Sequence, residues 1–352
     1  MGIIKLPKKS ISFFEENIKE IFESGALAEG SWNKKAGEHV CKYTGSKYAV
    51  VTNSNGAGIL ATLQLLSEYY GSNKVLLQSN TMYGMKTMVN SSGLNLAGTI
   101  PCSLPSLMPT IDQIKASVSA FGLVKNDVIL LSHIGGIVNP AIVEISKYCN
   151  HNGLLLVEDC AHSYGATLNN KHSGTYGIAG IYSYYSTKAI PVGEGGVVVT
   201  NDSNLYDKLD RYSKYDRFKQ EMRIGFNIRM SEMQALMLYS VLIETESIIL
   251  NKQKTAHQYI KICDNKGIEY LEQENEVTRG NYYKFIIISR SESVEKLYPS
   301  LQSLTSKVYD YTLGLKKDSL SDNHLCLPIW FNLDQAIIEK TLLELDVINT
   351  MN

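Results

Sequence analysis

The feature that most constrains this chain is a rhythm. Short apolar runs recur at intervals long enough to hold a helix: Tyr48-Ala49-Val50-Val51, Val75-Leu76-Leu77, Val128-Ile129-Leu130-Leu131, Leu154-Leu155-Leu156-Val157 and Ile181-Tyr182-Ser183-Tyr184-Tyr185. Unbroken apolar runs suit strands buried on both faces, and the segments between most of them suit crossover connections. The fold class is therefore α/β with a largely parallel sheet. One strand departs from the pattern. Val197-Val198-Val199 follows its predecessor after a short Gly-rich link, too short for a helical crossover, and is read as antiparallel.

The flanking segments complete the outline. Residues 12–24 read as an opening helix, with Ser12 and Glu15 as a capping box, a face of Phe14, Ile18, Ile21 and Phe22, and Gly25 as its end. A short helix is expected over residues 34–43. Asn53-Ser54-Asn55-Gly56 leads into a helix carrying Ile59, Leu60, Leu63 and Leu66. Another starts near Ser231, with Gln234 completing a capping box, and continues towards Ile249 as the connector to a smaller domain. That domain holds a strand, Tyr283 to Ile288, and a final helix from about Asp334 to Leu345. The expected division is a large domain over residues 1–245 and a small C-terminal α+β domain over 246–352.

Composition excludes several classes of function. The formal net charge of -1 gives no strong pull toward nucleic acid or an acidic membrane. No apolar run is long enough to span a bilayer. None of the six cysteines forms a C-x-x-C pair, and the seven histidines show no metal-ligand spacing, so no metal is expected. The wide cysteine spacing suits reduced thiols in a cytoplasmic protein. Met1-Gly2-Ile3-Ile4-Lys5-Leu6 lacks the apolar stretch of a signal peptide, and Leu6 stands where myristoylation after Gly2 wants Ser or Thr.

Four segments carry chemistry. Glu158-Asp159-Cys160-Ala161-His162 puts two carboxylates at the carboxyl end of a buried strand, where ligands of open α/β sheets bind. A carboxylate there needs a cationic partner, and a protonated pyridine nitrogen would be one. Alone, the doublet favours a helix cap or a structural ion pair. Ser183 to Lys188, then Gly193-Glu194-Gly195-Gly196, puts a lysine between a buried strand and a Gly-rich turn. Partial desolvation there would lower its pKa and free the amine for a Schiff base. Asn53 to Gly58 opens a helix whose N-terminus can take an anion, and Ser183 could add a hydroxyl. Gly225-Phe226-Asn227-Ile228-Arg229-Met230-Ser231 places Asn227 and Arg229 just before another helix.

Together these segments resemble the DegT/DnrJ/EryC1/StrS aminotransferase family, whose fold is that of fold type I enzymes of pyridoxal 5′-phosphate (PLP). Glu158 to Ala166 is similar to its E-D-A-A-Q/H-x-x-G-A. Gly174-Thr175-Tyr176-Gly177 matches its G-T-F-G, and Ser183 to Gly196 its S-F-x-x-x-K and G-E-G-G. Gly225 to Met230 resembles its G-Y-N-x-R-M/L, and Leu327-Pro328-Ile329 its L-P-I/L. The resemblance implies that Lys188 carries PLP as a Schiff base and moves the proton, and that Asp159 pairs with the pyridinium. It implies that His162 faces the ring, and that Asn55, Gly56 and Ser183 hold the phosphate. Asn227 would reach the phosphate of a neighbouring subunit, with active sites shared across a homodimer. Two positions depart from the family. Its phosphate-loop Thr is missing at Asn55-Gly56. Its stacking aromatic is replaced by Met82, so either the Met82 thioether or a shifted Tyr83 covers the ring. His133, where the family has a His near the site, is given no catalytic role.

The implied reaction is a ping-pong transamination, through pyridoxamine 5′-phosphate, from an amino-acid donor such as glutamate to a nucleotide-linked keto sugar. Such products feed O-antigen, capsule, protein-glycan or antibiotic pathways. A small keto phosphate or free keto sugar remains an alternative acceptor. So does a non-catalytic scaffold, against which Asp159 and Lys188 speak. A dehydratase branch of the family carries His at the lysine position and is disfavoured by Lys188.

Overall fold

Every apolar run named above forms part of a strand or its extension. The computed structural model describes residues 4–290, 293–301, 303–314 and 320–347, so the reading of Gly2 lies outside the described residues. The strands are β1 (Tyr48–Thr52), β2 (Lys74–Gln78), β3 (Asn95–Ile100), β4 (Val128–Ser132), β5 (Leu155–Asp159), β6 (Thr167–Leu168), β7 (Lys171–His172), β8 (Ala179–Ser183), β9 (Gly196–Thr200), β10 (Thr278–Arg279), β11 (Phe285–Ile288) and β12 (His324–Leu327). The helices are α1 (Lys8–Ser24), α2 (Ser31–Thr44), α3 (Asn55–Tyr70), α4 (Tyr83–Ser91), α5 (Ile111–Phe121), α6 (Ile142–Asn152), α7 (Ser203–Tyr212), α8 (Glu232–Leu242), α9 (Thr245–Lys266), α10 (Val294–Leu297) and α11 (Gln335–Asp346).

The main sheet runs in the order β1-β9-β8-β5-β4-β2-β3. Its core pairs are parallel, and β9 alone in this sheet is reversed, antiparallel to both β8 and β1. The short Gly-rich link before β9 thus acts as expected. Register then does the positioning. Ser132 lies opposite Asp159, Asp159 opposite Ile181, and Gly196 opposite both Ser183 and Thr52. Parallel direction therefore brings residues far apart in sequence to one edge of the sheet. Helices cover both faces, with Leu63, Leu66, Val128 and Leu130 in one buried cluster and Ile114, Ile129, Leu131 and Ile145 in another. A separate cluster joins Tyr259, Phe285, Ile287, Leu327 and Leu345 around the β11–β12 pair, α9 and α11.

Several local expectations differ from the structure. Helix α1 begins at Lys8 behind Pro7, so Ser12 and Glu15 lie inside it and form no capping box. Proline before the first turn presets the backbone without a side-chain cap. Phe22 is exposed, while Phe13, Phe14 and Ile18 pack against the cluster containing α8. The end at Gly25 holds, in the left-handed conformation that glycine takes without a Cβ clash. Ser231 does accept the Gln234 N–H, but the Gln234 amide turns to the Glu194 carbonyl, so the box is half formed. The helix expected to run on to Ile249 breaks between α8 and α9, which meet at 53°. The edge strand β3 was not legible, because it is only partly covered and carries no apolar run. No single described helix is long and apolar enough to cross a membrane.

Helix α2 shows how these pieces lock together. Its N-terminal N–H groups have no local side-chain cap. Instead the buried Glu232 carboxylate, from α8, accepts from the Trp32 N–H at 2.5 Å, the Asn33 N–H at 3.3 Å and the Asn33 amide at 2.9 Å. A negative charge at that end also suits the helix dipole. Glu232→Ala is expected to cost about 1–3 kcal/mol, as donors and dipole lose their acceptor together. Urea unfolding followed by circular dichroism measures this, and an unchanged midpoint would refute the role of Glu232 as a cap.

Candidate active site

Strand alternation sends Glu158 and Asp159 to opposite sides of β5. Glu158 is fully buried and has a structural task. Its Oε1 accepts the N–H groups of Tyr176 and Gly177, each at 2.7 Å, and its Oε2 accepts the Gly174 N–H at 2.8 Å. His133 Nδ1 accepts the Asn139 N–H at 3.0 Å, so Nε2 carries the proton and donates to Glu158 at 2.9 Å. His133, Glu158 and Cys160 lie close enough to suggest a metal site. The lone pairs a metal would need on Glu158 and His133 are already engaged, and burial pushes the Cys160 thiol well up. The Gly174-Thr175-Tyr176-Gly177 segment is thus the loop that Glu158 ties down.

Asp159 faces the cleft, buried. Its Oδ1 accepts the Asn55 amide at 3.2 Å and the Ala161 N–H at 3.1 Å, and its Oδ2 accepts the Ser132 hydroxyl at 2.9 Å. Ser132 pairs in turn with the Thr81 hydroxyl at 2.7 Å. Burial pushes the Asp159 carboxyl up, while the charge on Lys188 and these donors pull it back. Three donors fix the carboxylate, and Oδ2 keeps a lone pair for a further partner.

Lys188 stands on the loop between β8 and β9. That loop is closed by backbone bonds from Ser186 to Gly193, Val192 to Tyr184 and Tyr184 to Gly195. Lys188 is half-buried, with Nζ 5.4 Å from the centre of the Tyr283 ring. Desolvation lowers its pKa to about 8, against an opposing pull from Asp159 and with a further push from Lys284. His162 is buried against Tyr283, with ring centres 4.3 Å apart, and its Nε2 is 3.4 Å from the Tyr309 hydroxyl. Burial first, then Lys188 and Lys284, holds its pKa well below the usual range, so the ring is neutral. Its buried Nδ1 has no partner among the described residues.

At the start of α3, Ser54 caps the Ala57 N–H at 3.1 Å. Gly196 packs against it so closely that a Cβ would sit 2.5 Å from the Ser54 carbonyl carbon. Ser183 is buried beside this turn and Gly56 opens the helix. The Asn55 side chain turns inward, spending its amide on Asp159 and on the Ile181 carbonyl at 3.0 Å. Any anion contact that Asn55 makes there would fall to its backbone N–H. Met82 and Tyr83, at the start of α4, are 41% and 58% exposed. Asn227 is exposed, on a segment bound to the same turn through the Asn53 N–H and Ile228 carbonyl at 2.7 Å.

Lys188, Asp159 and His162 therefore converge, with Asn55 as a brace. Sequence reasoning missed Ser132, Tyr283, Lys284 and Tyr309. Ser132 follows from register with Asp159, whereas the other three come from the approach to β11 and the 306–313 segment, where no motif marks them. A cleft of ≈ 460 Å³ lined by Glu29, Lys34, Tyr48, Asp210 and Arg229 lies elsewhere, and none of the three converging residues lines it.

Comparison with known proteins agrees with this fold. The model of the DegT/DnrJ/EryC1/StrS aminotransferase family matches residues 9–313. The UDP-4-amino-4,6-dideoxy-N-acetyl-beta-L-altrosamine transaminase of Helicobacter pylori is 25% identical over 260 residues, which span 70% of this chain and 65% of that protein. A DegT DnrJ EryC1 StrS aminotransferase from Brucella abortus superposes with a TM-score of 0.85 at 20% identity, covering 97% of this chain and 96% of that one. The PLP form of the putative sugar aminotransferase Spr1654 from Streptococcus pneumoniae gives a TM-score of 0.82 at 14% identity, over 98% and 97% of the two chains. With the family match covering most of its length, the chain belongs to the DegT/DnrJ/EryC1/StrS aminotransferase family.

Proposed function

We propose that this chain is a PLP-dependent aminotransferase that moves an amino group from an amino acid, glutamate being the expected donor, to a keto sugar carried on a nucleotide. The observation that carries the proposal is Lys188, an amine of lowered pKa beside the buried, braced carboxylate of Asp159. The name of the Helicobacter pylori relative supports the nucleotide-sugar acceptor.

The residues fit PLP. Asp159 has a free lone pair for a pyridine nitrogen, and the unpartnered His162 Nδ1 suits a ring hydroxyl. The α3 N-terminus, with Gly56 and Ser183, suits a phosphate. Met82 or Tyr83 would cover the ring. When bound, PLP supplies an electron sink for a carbanion. The protein supplies the rest. Asp159 keeps the ring nitrogen protonated, because a buried carboxylate gains from a cationic neighbour. Lys188 holds the cofactor and then, as a free amine, takes a proton from the donor carbon and returns it elsewhere. Neutral His162 fills the space against Tyr283 and keeps water out. The aromatic faces of Tyr283 and Tyr309 suit the C–H surfaces of a sugar.

A homodimer fits the exposed aromatic side chains near the site. Phe218 and Phe226 are 78% and 58% exposed, on the segment that carries Asn227. Such a surface suits a subunit contact, and Asn227 would then complete the partner's phosphate site.

Lys188→Ala is expected to lower turnover at least ~10³-fold while leaving the urea midpoint near that of the parent, since the residue is half-buried and, among the described residues, forms no direct ion pair. Near-parental turnover in that variant would sink the assignment. A second expectation concerns pH. Only the neutral amine captures the PLP carbonyl. With the pKa lowered from 10.5 to about 8, the neutral fraction at pH 7.5 rises from roughly one in a thousand to roughly one in four. PLP uptake by the apoprotein, trapped with borohydride, should therefore climb with pH and level off above about 8. A rate still rising tenfold per unit at pH 9 would show an ordinary lysine instead.

A further inference from the structure

We infer that Lys284 is the carboxylate-binding residue of the amino-donor half of the reaction, an inference that rests on the function proposed above. Lys284 lies at the approach to β11, two residues before Ile286, whose side chain packs with Leu107 and Ile134 at the main sheet. Its ammonium is 5.3 Å from the centre of the Tyr283 ring, the same ring that Lys188 approaches at 5.4 Å and against which His162 packs at a tilt. Lys284 is half-buried, and among the described residues no carboxylate pairs with it. A cation kept partly out of water without a counter-ion is an anion receptor in waiting.

The chemistry selects the anion. The carboxylate of an amino acid sits about 2.5 Å from the amine nitrogen, so it must come to rest close to Lys188. The phosphates of a nucleotide sugar are held off from the reacting carbon by the sugar itself. Arginine, the usual partner of a carboxylate, is engaged or exposed within this chain: Arg211 pairs with Asp216, Arg229 with Glu29, Arg279 with Glu246 and Arg290 with Glu269, while Arg217 and Arg223 are exposed. Lys284 is the cation left facing the site beside Lys188.

The test uses the PLP-loaded protein. Its visible absorbance is recorded first, and glutarate, a dicarboxylate without an amine, is then titrated by calorimetry. Lys284→Met keeps the length of the stem and removes the charge. It should retain the visible band and weaken glutarate binding about 10- to 100-fold, as expected for one lost charge-assisted hydrogen bond. Lys284→Arg should restore most of the affinity. It should also restore the glutamate concentration that half-converts the band. Parental glutarate affinity in Lys284→Met overturns the inference. So does unchanged glutarate binding with a raised KM for the keto acceptor, which would place Lys284 at the sugar. A parental protein that takes up no PLP with a visible band defeats the proposed function itself, before any variant is made, so the two failures are distinguishable.

Discussion

The structure turns on two neighbouring carboxylates buried at the end of β5. Neither could stay there alone, because a buried charge without partners costs several kcal/mol. Each is satisfied on its own side of the sheet. Glu158 takes three backbone N–H groups and the His133 ring, and so fixes the loop of residues 174–177 against β5 and β8. Asp159 takes Asn55, Ser132 and the Ala161 N–H, and so ties the α3 entrance and β4 to the cleft. The first carboxylate makes the frame rigid. The second can then serve as a fixed negative charge, which is what a cationic cofactor ring requires. Replacing either by an apolar residue would strand its donors as well as remove a charge.

Much of this was legible in the sequence, for identifiable reasons. The parallel strands are continuous apolar runs because both faces are covered, and a short link revealed the reversed β9. Lys188 stood out because a lysine between a buried strand and a Gly-rich turn is an unusual place for a cation. Other features depend on contacts that local patterns do not record. The start of α1 is set by Pro7 and not by the Ser12–Glu15 spacing. The cap of α2 comes from Glu232, 200 residues away. Asn55 sits in the turn that opens α3, yet its amide reaches across the sheet edge to Asp159 and the Ile181 carbonyl, a choice made by strand order. Ser132 is one hydroxyl among many until register sets it opposite Asp159.

The site is thereby built in two parts of different character. The inner part, Asp159, Ser132, Asn55 and Lys188, hangs on paired strands and on a hairpin loop closed by backbone bonds. The outer part, Tyr283, Lys284, Tyr309 and Tyr311, comes from the segments around β11 and from residues 306–313, where the described chain is largely without regular structure. Buried Asn281 joins the two, donating to the His162 and Tyr164 carbonyls at 2.9 Å while accepting the Tyr283 N–H at 2.8 Å.

This division has a chemical logic. In the proposed ping-pong reaction the cofactor steps would be common to both halves, so the residues that serve them would belong on the rigid frame. In the proposed reaction the two substrates would differ, one a small dicarboxylate and the other a bulky sugar, and they would use the same space in turn. A wall of aromatic rings carrying one ammonium would meet both needs: the rings would offer apolar area to a sugar, and the ammonium a charge to a carboxylate. Tyr311, whose hydroxyl accepts the Tyr83 N–H at 2.6 Å, also braces the start of α4, where Met82 and Tyr83 await the ring. On the proposed function, changes in this outer wall would alter which substrate is accepted while leaving the donors that hold Asp159, namely Asn55, Ser132 and the Ala161 N–H, in place on the frame.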